Sequence, residues 1–135
     1  MNEVAFHPSD IRGHYPNEVN EEIFEMVGRT CASVFKDGMI FVAHDGRNTS
    51  VVLEKAVIRG FETGAKEFKK TLKVETVGFS STPMFYFLAG HFNSDGVMIT
   101  ASHNPKNDNG MKIIKDGKVL SGLDILSLIQ KAGKK

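Results

Sequence analysis

The fold is decided by residues 96–114, which have the sequence GVMITASHNPKNDNGMKII. Residues 97–99 form a short apolar run behind a glycine, and this pattern predicts a buried strand. Residues 102–110 are rich in Asn, Asp, Pro and Gly, which indicates a loop. Residues 111–114 are apolar again and predict a returning strand. Ser102 therefore follows the carboxyl end of a buried strand, where open α/β sheets bind their ligands.

Ser102 lacks the sequence context of a hydrolytic nucleophile. No G-x-S-x-G elbow surrounds it, and His103 follows it directly, so the two side chains point apart on extended backbone. A hydroxyl without a base suits a phosphate carrier, because phosphoserine needs cations and backbone N–H donors rather than a base. The loop supplies His103, Lys106 and Lys112 for this role. A serine hydrolase remains the alternative.

Three motifs resemble those of the α-D-phosphohexomutases, a family that includes phosphomannomutase/phosphoglucomutase and phosphoglucosamine mutase. Residues 100–105 (TASHNP), followed by residues 109–112 (NGMK), resemble the phosphoserine loop of that family. Residues 10–13 (DIRG) resemble its N-terminal loop, and residues 45–50 (DGRNTS) resemble its G-R-D-x-R-x-S loop. The resemblance covers nearly the whole chain but only the first of the four domains of the family, so residues 1–135 are predicted to form one phosphoserine-loop domain.

The resemblance implies an intramolecular transfer of phosphate on a hexose phosphate, through a hexose 1,6-bisphosphate. Phosphoserine 102 donates its phosphoryl group to the sugar, and the resulting bisphosphate later returns its other phosphate to Ser102. Lys112 serves as a general acid/base if neighbouring cations depress its pKa. The implied catalytic residues are Ser102, His103, Lys112 and Arg12, and the implied phosphate-binding residues are Arg47 and Asn104. The resemblance also implies a Mg²⁺ ion, which Ser102 would bind through its phosphate.

Several parts of the family pattern are missing from this sequence. The D-G-D-x-D-R metal loop, the sugar-recognition loop and the phosphate-binding fourth domain do not occur. We therefore expect an incomplete Mg²⁺ site, no mutase turnover by the isolated chain, and association with the missing mutase domains or with itself. The family usually has Arg where this chain has His44. A phosphate or interdomain contact made by that Arg would be weaker, or pH-dependent, with the imidazole of His44. A non-catalytic phosphate-binding or interaction module is the alternative function.

Composition limits the other function classes. The chain has 135 residues with 17 Lys and Arg against 16 Asp and Glu, a formal net charge of +1. This balance gives no reason to expect a nucleic acid or an anionic membrane as a partner. No run approaches the roughly 18 apolar residues of a membrane span. The single cysteine, Cys31, lies in an apolar helical pattern and predicts a buried, inert thiol in a cytoplasmic protein.

The alternation of strands and helices predicts a three-layer α/β/α domain with a mixed, mainly parallel sheet. The family implies four core strands in the order Val74, Met39, Val97, Met111, with the last antiparallel. The predicted strands are residues 4–6, 39–43, 74–79, 97–99, 111–115 and 118–120, and the predicted helices are residues 20–35, 50–66, 83–92 and 123–132.

Local signals refine this outline. Residues 7–15 are predicted to be a loop, and Asp116-Gly117 predicts a tight hairpin turn. Ser50 and Thr82 are predicted helix N-caps. Gly60 and Gly64 would let their helix approach the sheet closely. Residues 84–92 carry more aromatic side chains than one buried helix face can hold, which favours self-association.

Overall fold

The computed structural model describes residues 3–102 and 104–132. Strands and helices alternate along most of the chain, as the sequence pattern predicts. Their bounds are β1 Ile11–His14, α1 Glu21–Val34, β2 Gly38–His44, α2 Ser50–Glu67, β3 Leu72–Phe79, α3 Thr82–His91, β4 Asp95–Ile99, β5 Asp108–Lys115, β6 Lys118–Leu120 and α4 Gly122–Ala132.

All six strands form one mixed sheet. Its order is β1-β5-β4-β2-β3, and β6 pairs with β5. β2 runs parallel to β3 and β4, whereas β5 is antiparallel to β4, to β1 and to β6. The predicted order of the four core strands and the antiparallel direction of the last one are confirmed. The parallel pair β2 and β4 ends at one edge of the sheet, and the loop containing Ser102 begins there.

The prediction of a loop over residues 7–15 is wrong for Ile11–His14, which form β1. Arg12 lies opposite Gly110, and Ile11 lies opposite Met111. A four-residue strand with two polar side chains has little β signal of its own, and pairing with the longer β5 creates it. Residues 4–6, predicted as a strand, contribute only an isolated bridge from Phe6 to Ile11. The extra strand brings Arg12 next to the Ser102 loop.

Alternating side chains of the central strands fill two cores, one on each face of the sheet. Ile40 and Val42 of β2 pack with α1, α2 and α4, whereas Phe41 and Ala43 pack with α3. The first core is larger and includes Cys31, whose thiol is fully buried, so burial raises its pKa and keeps it protonated. The three-layer α/β/α architecture is thereby confirmed, with one helix on one face and three on the other.

The close approach allowed by glycine in α2 is to α1, not to the sheet as predicted. A Cβ on Gly60 would lie 2.2 Å from the carbonyl oxygen of Glu25 and 2.7 Å from the amide nitrogen of Arg29. Gly64 would likewise collide with Arg29 and Ala32 of α1. Helical periodicity identifies the glycine-bearing face of α2 but not the neighbour that covers it.

Two predicted helix caps are also wrong, each by one position. Thr49 is the N-cap of α2 and makes no side-chain cap bond, while Ser50 donates to Asp45. Ser81, not Thr82, caps α3 by accepting from the amide of Met84. In both cases neighbouring hydroxyl residues are candidate caps of similar propensity, so sequence alone does not distinguish between them.

The predicted hairpin turn between β5 and β6 is confirmed. Asp116 and Gly117 have φ values of 53° and 78°, as a two-residue turn of type I′ requires.

The core buries only part of the apolar surface of α3, since Phe85 is buried while Met84 and Phe87 are 50% and 61% exposed. No helix within the described ranges is long and apolar enough to cross a membrane.

Candidate functional site

Ser102 lies three residues beyond the end of β4, on a backbone that L-residues rarely adopt. Its φ is 55°, in the left-handed region, and its amide donates to Thr100 Oγ1 at 3.0 Å. The residue is exposed. A non-glycine residue in this region costs on the order of 1 kcal/mol. The surrounding contacts therefore hold an exposed hydroxyl on a strained turn at the ligand-binding edge of the sheet.

Arg47 holds the Ser102 loop together through its guanidinium group. Its Nη2 donates to the carbonyl oxygens of Ser102 and Asn104 at 2.8 and 2.9 Å. Its Nη1 donates to those of Pro105 and Asp108 at 2.7 and 3.1 Å.

The remaining Arg47 donor, Nε, contacts Asp45 Oδ2 at 3.2 Å. All five N–H donors of the group are thus satisfied by the protein. In this arrangement Arg47 shapes the loop and has no donor left for a phosphate.

A buried polar network begins at Asp45, the carboxylate that contacts Arg47. Asp45 Oδ1 accepts from Ser50 Oγ at 2.7 Å, and Ser50 Oγ in turn accepts from Asn109 Nδ2 at 3.0 Å. Ser50 and Asn109 are both fully buried. The network ties the beginning of α2 to the beginning of β5, so it fixes the carboxyl end of the Ser102 loop at Asn109.

The second arginine of the site is organised by Asp10, which is 2% exposed. Asp10 accepts from Arg12 Nε and Nη2, both at 2.8 Å, and from Lys112 Nζ at 2.7 Å. Burial acts to raise the pKa of Asp10, but the hydrogen bonds and charges of Arg12 and Lys112 outweigh it, so the pKa lies below its ordinary value of 3.8. Asp10 therefore stays ionised and holds both cations.

Arg12 and Lys112 keep hydrogen-bonding capacity that Arg47 lacks. Arg12 uses a third donor, on Nη1, for Asn104 Oδ1 at 3.2 Å, and so touches the Ser102 loop directly. Among the described residues, two of the five N–H groups of Arg12 and two of the three of Lys112 have no partner. These open donors make the Arg12–Lys112 pair the part of the site best suited to an anion.

Asn104 links the two halves of the site. Its Oδ1 accepts from Arg12, its Nδ2 donates to Asp108 at 3.0 Å, and its carbonyl oxygen accepts from Arg47. The sequence-predicted residues Ser102, Lys112, Arg12, Arg47 and Asn104 thus belong to one connected arrangement. His103, also predicted, lies outside the described residues.

Two open cavities flank the loop. One of about 400 Å³ is lined by Ser102, Thr100 and Asp45, and by the residues at the beginning of α3 and just before it, among them Ser80, Ser81 and Thr82. The other, of about 480 Å³, is lined by Arg47, Asn104 and Lys106 among others. Ser102 thus borders an open cavity whose lining includes several hydroxyl residues.

The described residues do not provide a metal centre. Across residues 3–102 and 104–132, no group of three or more His, Cys, Asp or Glu side chains is arranged to hold an ion. Asp45, which lines the cavity beside Ser102, already binds Arg47 and Ser50. The side chains that are described therefore do not fit a complete Mg²⁺ site.

His44, where the sequence departs from the family pattern, turns toward α2. Its Nδ1 lies 2.7 Å from Glu54 Oε2, and Glu54 is 8% exposed. The ring thus pairs with a buried carboxylate of the scaffold and is not among the residues lining either cavity.

Sequence reasoning did not assign a role to Asp10 or Asp45, although each holds one of the site arginines. A signal was present, because both loops contain the pattern Asp-x-Arg, at residues 10–12 and 45–47. An acid two positions before an arginine does not by itself predict an ion pair. Only the fold shows that both carboxylates point at the guanidinium groups.

Known proteins share similarity with nearly the whole of this chain. The family model for "Phosphoglucomutase/phosphomannomutase, alpha/beta/alpha domain I" matches residues 3–132. The chain is similar to a phosphomannomutase of Klebsiella pneumoniae, with 38% identity over 121 residues that cover 88% of this chain and 73% of that relative. It is equally similar to a phosphomannomutase of Escherichia coli, of which the match covers 25%.

A solved structure shows the same fold. The chain superposes on a phosphoglucomutase/phosphomannomutase family protein of Burkholderia thailandensis with a TM-score of 0.83 and 25% sequence identity. The match covers 99% of this chain and 31% of that one. The chain thus spans about a quarter to a third of the length of these two larger relatives.

Proposed function

Since this chain belongs to the phosphoglucomutase/phosphomannomutase family as its α/β/α domain I, we propose that it is the phosphate-carrying domain of a hexose-phosphate mutase. Ser102 is the carrier. The substrates of the complete enzyme are a hexose phosphate and the corresponding hexose 1,6-bisphosphate. The residues that would select a particular sugar belong to the other domains of the family.

The observation that carries the proposal is the arrangement around Ser102. An exposed residue stands on a strained turn, its loop is clamped by Arg47, and Arg12, which contacts Asn104 of the loop, shares Asp10 with Lys112. A phosphoryl group on Ser102 would bring two negative charges and three acceptor oxygens to this place. Open donors and positive charge are what such a group requires, whereas a hydrolase would need a base on the hydroxyl.

The transfer balances with the groups of this site. The bond between Ser102 Oγ and phosphorus breaks, and a bond from phosphorus to a sugar hydroxyl oxygen forms. Ser102 Oγ takes a proton from the Lys112 ammonium group as it leaves, and the resulting amine takes the proton of the attacking sugar hydroxyl, so the ammonium is restored. Arg12 and Lys112 stabilise the negative charge of the phosphoryl oxygens during transfer, and Lys112 is the proposed proton relay. His103 is retained as a proposed participant from the family pattern.

Magnesium enters the proposal as a partner of the complete enzyme. When bound, the ion would neutralise charge on the phosphoryl oxygens. This chain would contribute the phosphate on Ser102, and other protein ligands must come from outside the described residues. Asp10 and Asp45 are not proposed as ligands of the ion, because their carboxylates already accept hydrogen bonds from cationic side chains of the site.

A domain exchange tests the proposal. Residues 3–132 replace the matching part of the Escherichia coli phosphomannomutase, and the chimera is assayed with mannose 1-phosphate, glucose 1,6-bisphosphate and Mg²⁺. We expect mutase turnover and phosphate on Ser102 by mass spectrometry of peptides. The chimera with Ser102→Ala should fold equally well and lose at least about 10³-fold in turnover.

The isolated chain serves as a second control in the same assay. We expect it to show no turnover, since the segments that bind sugar and metal in the family are absent from it. A folded chimera that turns over equally well with Ser102→Ala, or that carries its phosphate elsewhere, would contradict the carrier role.

A further inference from the structure

We propose that Asp10 is a positioning residue that presents Arg12 and Lys112 to the phosphate on Ser102. The inference deepens the proposed function and rests on it. Asp10 does not contact the Ser102 loop through any described hydrogen bond of its side chain. Its carboxylate acts on the two cations that are free to bind an anion.

The geometry assigns this role to Asp10 because its two oxygens determine the places of both cations. Oδ1 accepts from Arg12 Nε, and Oδ2 accepts from both Arg12 Nη2 and Lys112 Nζ. The two-point contact sets the plane of the guanidinium group, which a single hydrogen bond would leave free to rotate. The side chain of Asp10 is 1% exposed, so the carboxylate itself has little freedom to move.

The position of Asp10 also offsets the repulsion between the positive charges of Arg12 and Lys112. Arg12 and Lys112 come from different strands, β1 and β5, and their nitrogens meet at one oxygen atom of Asp10. Two like charges so close together would separate if nothing lay between them. The carboxylate holds them together before any phosphate arrives, so binding need not pay the cost of ordering two long side chains.

If Asp10 positions the two cations, Asp10→Asn should change the affinity for phosphate in the direction opposite to that expected from charge alone. Asp10→Asn removes a negative charge beside the anion site, so Coulomb attraction alone would make phosphate bind more tightly. If Asp10 positions the cations, the same change releases Lys112 and disorders Arg12, and phosphate binds more weakly. The direction of the change in affinity therefore separates the two effects.

The experiment is a titration of the ¹⁵N-labelled chain with inorganic phosphate, followed through the amides of residues 102–112. We expect Asp10→Asn to raise the Kd for phosphate about tenfold, the loss expected for one charged hydrogen bond. Tighter binding or an unchanged Kd in a folded Asp10→Asn chain would overturn the proposal.

Asp116→Asn is the matched control. It makes the same change of charge at the exposed hairpin turn, at the other end of β5, where Asn tolerates the positive φ of 53°. We expect it to leave the Kd within about twofold, since an exposed charge far from the site is screened by salt. A loss equal to that of Asp10→Asn would show that the weaker binding does not depend on the contacts of Asp10 with Arg12 and Lys112, and would overturn the proposal.

The Arg12 Nε–H and Lys112 Nζ resonances provide a readout that does not depend on phosphate. In the unmutated chain both should be ordered, and both should move to the positions of free side chains in Asp10→Asn but not in Asp116→Asn. If phosphate fails to bind the unmutated chain, the carrier function fails, and these resonances alone decide the role of Asp10. If the Arg12 Nε–H and Lys112 Nζ resonances do not move in Asp10→Asn, the positioning role is overturned.

If Asp10→Asn does not fold, the unmutated chain still gives an answer. Scalar coupling across the hydrogen bond between Lys112 Nζ and the Asp10 carboxyl carbon reports the contact directly. A measurable coupling supports the placement, and its absence at a temperature where Lys112 is resolved would overturn it.

Discussion

At the scale of single residues, the two site arginines share the pattern Asp-x-Arg but have different tasks. Arg47 directs every donor at the protein, four of them at carbonyl oxygens of the Ser102 loop. Arg12 keeps two donors without a partner among the residues described. The Asp-x-Arg pattern does not show how many guanidinium N–H groups remain open. The sequence therefore predicts both arginines as phosphate-site residues. The count of satisfied donors favours Arg12 as the phosphate ligand and Arg47 as the loop clamp.

Arg47→Lys tests the clamp at this scale. The change keeps the charge, but a single ammonium nitrogen cannot reach four carbonyl oxygens, so we expect a loss of about 2–3 kcal/mol in the free energy of unfolding. Arg59→Lys is the matched control, because Arg59 makes an exposed pair with Glu25 and should change stability by less than about 0.5 kcal/mol.

Urea unfolding of both variants measures the difference. If Arg47→Lys were as stable as Arg59→Lys, the four carbonyl contacts would not hold the loop, and Arg47 would be available to bind phosphate.

At the scale of helices and strands, periodicity and turn signals predicted all four helices and the core strands, and the family resemblance implied the order of those strands. Two of the failures depended on a neighbour distant in sequence, since β1 exists because β5 pairs with it, and Gly60 faces α1 rather than the sheet. The cap failures are local, because Ser50 donates to the nearby Asp45 and Ser81 accepts from Met84. In the site, the motifs located Ser102 and its cations, but the carboxylates that orient those cations became evident only after folding.

Gly60→Ala tests the packing of α2 on α1. An added Cβ would meet backbone atoms of α1, which cannot move aside as a flexible side chain can, and we expect a loss of at least about 2 kcal/mol. Gly90→Ala in α3 is the control, because nothing lies within 4 Å of the added atom. There the gain in helix propensity should stabilise the chain by about 0.5 kcal/mol.

Thermal unfolding followed by circular dichroism measures both changes. Equal shifts of the melting temperature in Gly60→Ala and Gly90→Ala would contradict a tight backbone contact between α1 and α2.

At the scale of the whole molecule, the chain is a single α/β/α unit in which one face of the sheet is covered by α3 alone. Met84 and Phe87 of that helix and its C-cap residue Phe92 are each at least half exposed. The Escherichia coli relative is a longer protein, and the match to this chain covers about a quarter of it. The apolar side of α3 is therefore the surface on which the isolated chain is expected to associate.

Phe87→Lys tests this association. We expect the unmutated chain to sediment as a concentration-dependent mixture of monomer and larger species, and Phe87→Lys to shift it to monomer, because a charge is costly to bury in an apolar contact. Val52→Lys, an exposed apolar position on α2, should leave the distribution unchanged. A strictly monomeric unmutated chain at high concentration would count against self-association through α3.

The central claim is that this domain alone contains a preformed phosphate site at Ser102. The most direct measurement is the phosphate titration of the unmutated ¹⁵N-labelled chain, because it needs neither turnover nor another domain. We predict that the amides of residues 102–112 and the Arg12 Nε–H resonance shift together and saturate with one Kd. If those signals stay in place while others move, the phosphate binds elsewhere and Ser102 is not the carrier in this chain.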